Sequence, residues 1–165
     1  MKQYKTLDVF KFLSAFLIIV LHTSPFESYS KILTYGFRNI ITIIAVPFFF
    51  TCSGFITFSK IGTMKDRKEK NKYITKYLKR IGTMYVIWST IYFIFVVYKW
   101  TLEPFSYLNI IEYIRDFFFE GSYQTIWFLP AIFSATAIVY LLSQKFGYNK
   151  IFLISIPFYG FALFG

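Results

Sequence analysis

Lys11 and His22 stand out from the apolar run that contains them, residues 7–25, and His22 is the only histidine in the chain. An imidazole has an ordinary pKa of about 6.5, which suits it to general base work near neutral pH. Lys11 supplies a fixed positive charge. On a helix, their separation of 11 positions puts both within about 20° of one face and about 16 Å apart along the axis. They cannot touch; the helix instead presents a cation near one end and a titratable base toward the other. Asp8, three residues before Lys11, is at ion-pair spacing and would hold the lysine and offset its charge. An ionisable group inside an apolar span is costly, which makes it a functional candidate by default. The bland alternatives are a snorkelling lysine at a helix end and an interfacial histidine hydrogen-bonded to a headgroup or carbonyl.

The elements that must carry these groups are membrane spans. Of 165 residues, 56% are hydrophobic and 24% aromatic, with 23 phenylalanines. A water-soluble domain of this size would be left with large exposed apolar patches. The expected class is therefore an all-α integral membrane protein in the lipid bilayer. The formal net charge of +10 does not point to nucleic acid. The basic residues cluster between apolar tracts, where they set topology and meet anionic headgroups. Cys52 is the only cysteine and excludes an internal disulfide. There is no zinc-type ligand set, so no metal is expected.

Taken in order, the expected spans are residues 7–25, 39–59, 81–98, 121–144 and 151–165, five in all with the last incomplete. Residues 27–35 read as a short loop. The basic start followed by an apolar core also fits a signal peptide, but further spans follow and a cleaved segment needs no histidine. The second tract holds Pro47 and Gly54, which spanning helices tolerate. Thr51, Cys52, Ser53 and Gly54 supply the small side chains that let helices approach closely. Residues 60–80 read as the main basic loop, with nine Lys or Arg against Asp66 and Glu69. Between residues 105 and 119, Asn109, Glu112 and Asp116 recur at helical spacing, which predicts an amphipathic helix lying in the interface. Trp127 and Tyr123 read as interfacial anchors.

Charge asymmetry sets the expected orientation. The N-terminal tail with Lys11, residues 60–80 and residues 145–150 hold 14 of the 18 basic residues. Basic segments stay inside, so the N-terminus is expected to be cytoplasmic and His22 to lie near the outer end of the first span.

Lys11, ten residues, then His22 resembles the Arg/Lys-X10-His signature of the membrane-bound acyltransferase family three, the polysaccharide O-acetyltransferase type. The order Leu7, Asp8, Lys11, His22 is similar to the first helix of that family. Pro47-Phe48-Phe49-Phe50-Thr51-Cys52-Ser53-Gly54-Phe55 is similar to its PxFFxxSGF segment. Lys76-Tyr77-Leu78-Lys79-Arg80 resembles its basic approach to the third helix, with Lys76 in place of an arginine. The usual proline soon after is absent, Thr83 and Met84 standing in that area. Trp127-Phe128-Leu129-Pro130 resembles a WFLP segment of one branch. The likeness covers nearly all of the chain in the right order. The family has about ten spans, so residues 1–165 would be the N-terminal half of the domain, not active alone.

This resemblance implies transfer of an acyl group, most often acetyl, from cytosolic acyl-CoA to a hydroxyl of an extracytoplasmic glycan or lipid-linked sugar at the plasma membrane. His22 would be the catalytic base or an acyl carrier, and Lys11 would steer the donor. Arg80, Lys79 and Lys76 would bind donor phosphates, Arg being the better bidentate partner. Positive-inside flanking explains the same cluster equally well. Ser53 and Cys52 are poor nucleophile candidates, since no second histidine exists to activate them. Competing readings are a transporter-like module, as in membrane-bound serine racemases, and an inactive truncated remnant.

Overall fold

The computed structural model describes residues 5–23, 28–102, 106–123 and 125–164. Among these there is no strand. Six helices follow in order: α1 (Lys5–Thr23), α2 (Lys31–Thr63), α3 (Arg67–Leu102), α4 (Tyr107–Phe119), α5 (Phe128–Lys145) and α6 (Tyr148–Phe164). The all-α membrane class is thus the observed one. Three helices are long and apolar enough to cross a membrane, within Ile44–Thr63, Arg67–Leu102 and Phe128–Lys145. In α1 the shorter apolar segment is Val9–Ile18, and α6 has 17 residues.

The chain divides into two compact units, residues 1–70 and 71–165. In the first, α1 and α2 pack against each other. The Phe10 and Phe48 rings meet 6.0 Å apart. Ser14 on α1 and Ala45 and Cys52 on α2 are buried, small side chains that allow close backbone approach. α2 runs unbroken through Pro47. Asp66 starts α3 by accepting the Lys68 amide at 3.1 Å, the usual N-cap arrangement.

The expected basic loop is corrected here. Residues 60–63 belong to α2 and residues 67–80 to α3, leaving only residues 64–66 outside a helix. Lys, Arg and Glu are good helix formers, and an Asp cap beside them favours a turn of three residues over a loop. α3 reaches 36 residues, about 54 Å, well beyond the 30 Å or so of a hydrocarbon layer.

In the second unit α3 buries Ile74, Ile81, Tyr85 and Ser89. α5 buries Leu129, Ile132, Thr136 and Tyr140. Each set lies at spacings of three, four or seven, one stripe per helix. The pairing runs antiparallel. The Tyr140 hydroxyl donates to Asn71 Oδ1 at 2.6 Å, Phe133 lies beside Gly82, and Ser122 reaches Ser89.

α4 is amphipathic, as its polar spacing predicts, and begins with a capping box between Ser106 and Asn109. Its Tyr113 and Phe117 turn toward α3: the Tyr113 ring meets Phe93 at 5.3 Å and Trp100 at 6.0 Å, and Phe117 meets Tyr85 at 5.0 Å. Leu108, Ile111, Ile114 and Phe118 face outward. α4 ends where the amides of Glu120 and Gly121 both donate to the Asp116 carbonyl. α5 starts only at Phe128, so the described residues at the front of the expected fourth span, 121–123 and 125–127, are not helical.

Gly121 has φ +94°, and a Cβ there would lie 2.6 Å from Trp127 Cα. Only glycine fits both the left-handed backbone and the contact. Gly121→Ala is expected to destabilise the folded protein by about 2–4 kcal/mol, read as a lowered midpoint of thermal unfolding in detergent.

Candidate functional site

α1 carries Asp8, Lys11 and His22 along most of its length. The side chains of Asp8 and His22 lie outside the described residues. Lys11 is half-buried. On the helical register, positions 11 and 22 fall within about 20° of each other and about 60–80° from Ser14, the buried α1 residue. Both positions therefore flank the α1–α2 seam. The segment similar to PxFFxxSGF lies wholly inside α2, with Cys52 buried and Ser53 and Gly54 half-buried. Near the start of α2, Lys31, Thr34, Tyr35 and Arg38 line a recess of about 230 Å³. There the Thr34 hydroxyl is engaged by the Ser30 carbonyl at 3.0 Å.

The second unit brings Lys76, Lys79 and Arg80 together on one face of α3, all exposed. At positions i, i+3 and i+4 they lie roughly opposite the stripe of Ile74, Ile81, Tyr85 and Ser89. Lys72, one turn earlier and also exposed, continues the same face. Sequence reasoning passed over Lys72 because it read the segment as loop, and spacing defines a face only once the segment is a helix.

Sequence reasoning also missed a hydroxyl clamp at the non-helical turn. The Tyr85 hydroxyl donates to the Phe117 carbonyl at 2.6 Å and accepts the Ser122 amide at 2.9 Å. The Ser122 hydroxyl donates to Ser89 Oγ at 2.6 Å. Tyr92 and Tyr123 stack beside it, with ring centroids 4.5 Å apart. The clamp ties α3 to the end of α4 and to the turn before α5. The only advance signal was Tyr85 and Ser89 spaced by four within an apolar tract.

Burial, with the neighbouring Tyr85 phenol second, pushes the Tyr113 phenol above its ordinary value, while a hydrogen bond with Ser122 pulls the other way. On the outer side of α4, Arg115 pairs with Asp116 at 2.7 Å and approaches Glu120 at 3.9 Å. The hydrogen bond to Asp116, then its charge, holds the Arg115 guanidinium protonated still more firmly than usual. With Arg115 exposed and Asp116 half-buried, the pair stays largely solvated and adds little.

The arrangement is that of an α-helical membrane protein with a cationic helix face in one unit and a lysine–histidine helix in the other. A family model described as an acyltransferase domain, that of acyltransferase family three, matches residues 4–165, and the chain belongs to that family. It is also similar to two proteins named amino-acid racemase from Enterococcus faecalis. One is 32% identical over 164 residues, covering 99% of this chain and 22% of the relative. The other is 27% identical over 143 residues, covering 87% and 20% respectively. The chain thus spans about a fifth of the length of these relatives. No solved structure matches.

Tyr85→Phe removes one donor and one acceptor and strands the Ser122 amide. It is expected to cost about 1–3 kcal/mol, whereas Ser89→Ala should cost less, since Ser122 keeps its amide bond. Comparing the two unfolding midpoints in the same detergent checks the order.

Proposed function

We propose that the protein takes part in membrane acyl transfer, moving an acyl group, acetyl by preference, from cytosolic acyl-CoA to a hydroxyl of an extracytoplasmic glycan or lipid-linked sugar. The observation that carries this reading is the family match over residues 4–165, which contains Lys11 and His22 at the spacing described. In this reading His22 takes the proton from the acceptor hydroxyl. The resulting oxygen nucleophile attacks the thioester carbonyl, the acyl–sulfur bond breaks, and the CoA thiolate leaves with the electron pair. The imidazolium then returns its proton to the thiolate. Lys11, with Asp8 offsetting its charge, steers the donor. Arg80, Lys79 and Lys76 hold donor phosphates, supported by their common exposed face on α3. In this reading the N-terminus lies on the cytoplasmic side of the plasma membrane, supported by the excess of basic residues in the N-terminal tail and residues 60–80.

A second reading rests on the two relatives named amino-acid racemase. In it these residues are the membrane module of a larger chain, and Lys11 and His22 line a path for substrate supply rather than an acylation centre.

His22→Ala in the full-length protein is expected to lower acylation of the surface glycan by at least about 10²-fold with membrane levels of the protein unchanged. Unchanged acetyl content in that variant would sink the role given to His22. Arg80→Ala should raise KM for acyl-CoA about tenfold, leaving KM for the acceptor nearly constant. A change confined to membrane orientation would instead make Arg80 a topology determinant.

A further inference from the structure

The recess of about 230 Å³ lined by Lys31, Thr34, Tyr35 and Arg38 has no part in the reading above. Its place follows from distances along the two helices of the first unit. Thr23, the end of α1, is 13 positions past Phe10, and Lys31, the start of α2, is 17 positions before Phe48. The Phe10 and Phe48 rings meet. Were the helices parallel, Thr23 and Lys31 would lie about 45 Å apart, yet the chain between them spans at most about 29 Å. The helices therefore run in opposite directions, and position 22 of α1 is level with about position 36 of α2. Thr34, Tyr35 and Arg38 bracket that level. On the helical register Lys31, Thr34 and Arg38 fall within about 40° of Ala45, which is buried. The recess thus opens along the α1–α2 seam that positions 11 and 22 flank.

Its depth follows from the sequence of α2. Residues 39–59 carry no charge and rise about 31 Å as helix, about the thickness of the hydrocarbon layer. Arg38 stands at the edge of that run and Lys31 about 10 Å beyond it, which brackets the headgroup layer. In the orientation that the charge asymmetry favours, this is the side poor in basic residues, with Lys31 and Arg38 two of the four found there. Positive-inside flanking, which explains Lys76, Lys79 and Arg80, does not explain this pair. From residue 28 to residue 65 the chain has no Asp or Glu, so α2 brings no carboxylate to the recess. The Thr34 hydroxyl donates to the Ser30 carbonyl. The lining otherwise supplies the Lys31 ammonium, the Arg38 guanidinium with its five N–H donors and the Tyr35 hydroxyl. Two cations and a phenol suit a phosphate, with the arginine as bidentate partner.

We propose that the recess seats the phosphate of a lipid-linked sugar, the acceptor in the acyl-transfer reading on which this assignment rests. The phosphate binds Lys31 and Arg38 at headgroup depth and its lipid chain enters the bilayer. The sugar it carries then lies at the level of position 22 on α1. Of the two acceptor classes, glycan and lipid-linked sugar, the recess selects the second, because that one brings a phosphate to this depth.

The experiment measures binding of undecaprenyl phosphate to the full-length protein in nanodiscs of neutral phosphatidylcholine, for the wild type, Lys31→Gln, Arg38→Gln and Arg38→Lys. The wild type should bind undecaprenyl phosphate and not the uncharged polyprenol. Each Gln variant should weaken binding about tenfold, the loss of one charge-assisted contact, with the unfolding midpoint unchanged; Arg38→Lys should lose less. Binding that neither Gln variant weakens overturns the assignment. Displacement by an equal mole fraction of phosphatidylglycerol makes the recess a general anionic-lipid site, and equally tight binding of inorganic pyrophosphate makes it a site for free anions; either result overturns the assignment. In acylation assays Arg38→Gln should raise KM for the acceptor about tenfold and leave KM for acyl-CoA unchanged. Specific binding in a protein that transfers no acyl group overturns the acyl-transfer reading and leaves the lipid-phosphate seat standing. Acyl transfer without that binding overturns the seat alone.

Discussion

Within the second unit everything depends on which turn of α3 meets which turn of α5. Between helices surrounded by lipid, apolar contact is no better than contact with acyl chains, so apolar packing alone selects a register weakly. Hydrogen bonds select it strongly, because a polar group left unpaired in hydrocarbon is expensive. Tyr140 on Asn71 at one end and Ser122 on Ser89 toward the other pin the two helices. The stripes of buried side chains then fall into place between these fixed points.

The non-helical turn between α4 and α5 follows from the same constraint. A break in helical structure frees backbone amides and carbonyls, which must find partners. Tyr85 serves both sides of the break, donating to the Phe117 carbonyl and accepting from the Ser122 amide. Gly121 supplies the left-handed backbone that lets the chain turn under Trp127. One phenol and one glycine thus hold a clamped turn between the short amphipathic helix and the spanning helix.

Placing the basic segment within α3 changes what its charges mean. In a loop, Lys72, Lys76, Lys79 and Arg80 would be mobile and solvated, and their spacing would carry no information. On a helix they form one exposed face, opposite the stripe of α3 that is buried. The family is acyltransferase family three. The relatives named amino-acid racemase are much longer chains, of which the matched part is about a fifth.

The sequence by itself determined the class, the family resemblance and most helix positions, because apolar runs of spanning length and ordered motifs are local properties of the chain. Lys11 and His22 were legible as a pair because both fall on one helix, where spacing converts directly into direction. Arg80, Lys79 and Lys76 were legible as a cluster. Only the tertiary structure decided that they belong to a face shared with Lys72, that the described residues before α5, 121–123 and 125–127, are not helical, and that Tyr85, Ser89 and Ser122 form a clamp there. Those features depend on contacts between residues 33 and 69 positions apart. Spacing along one chain says nothing about which turn of a distant helix lies alongside, and in lipid that choice is made by a few hydrogen bonds rather than by the apolar pattern.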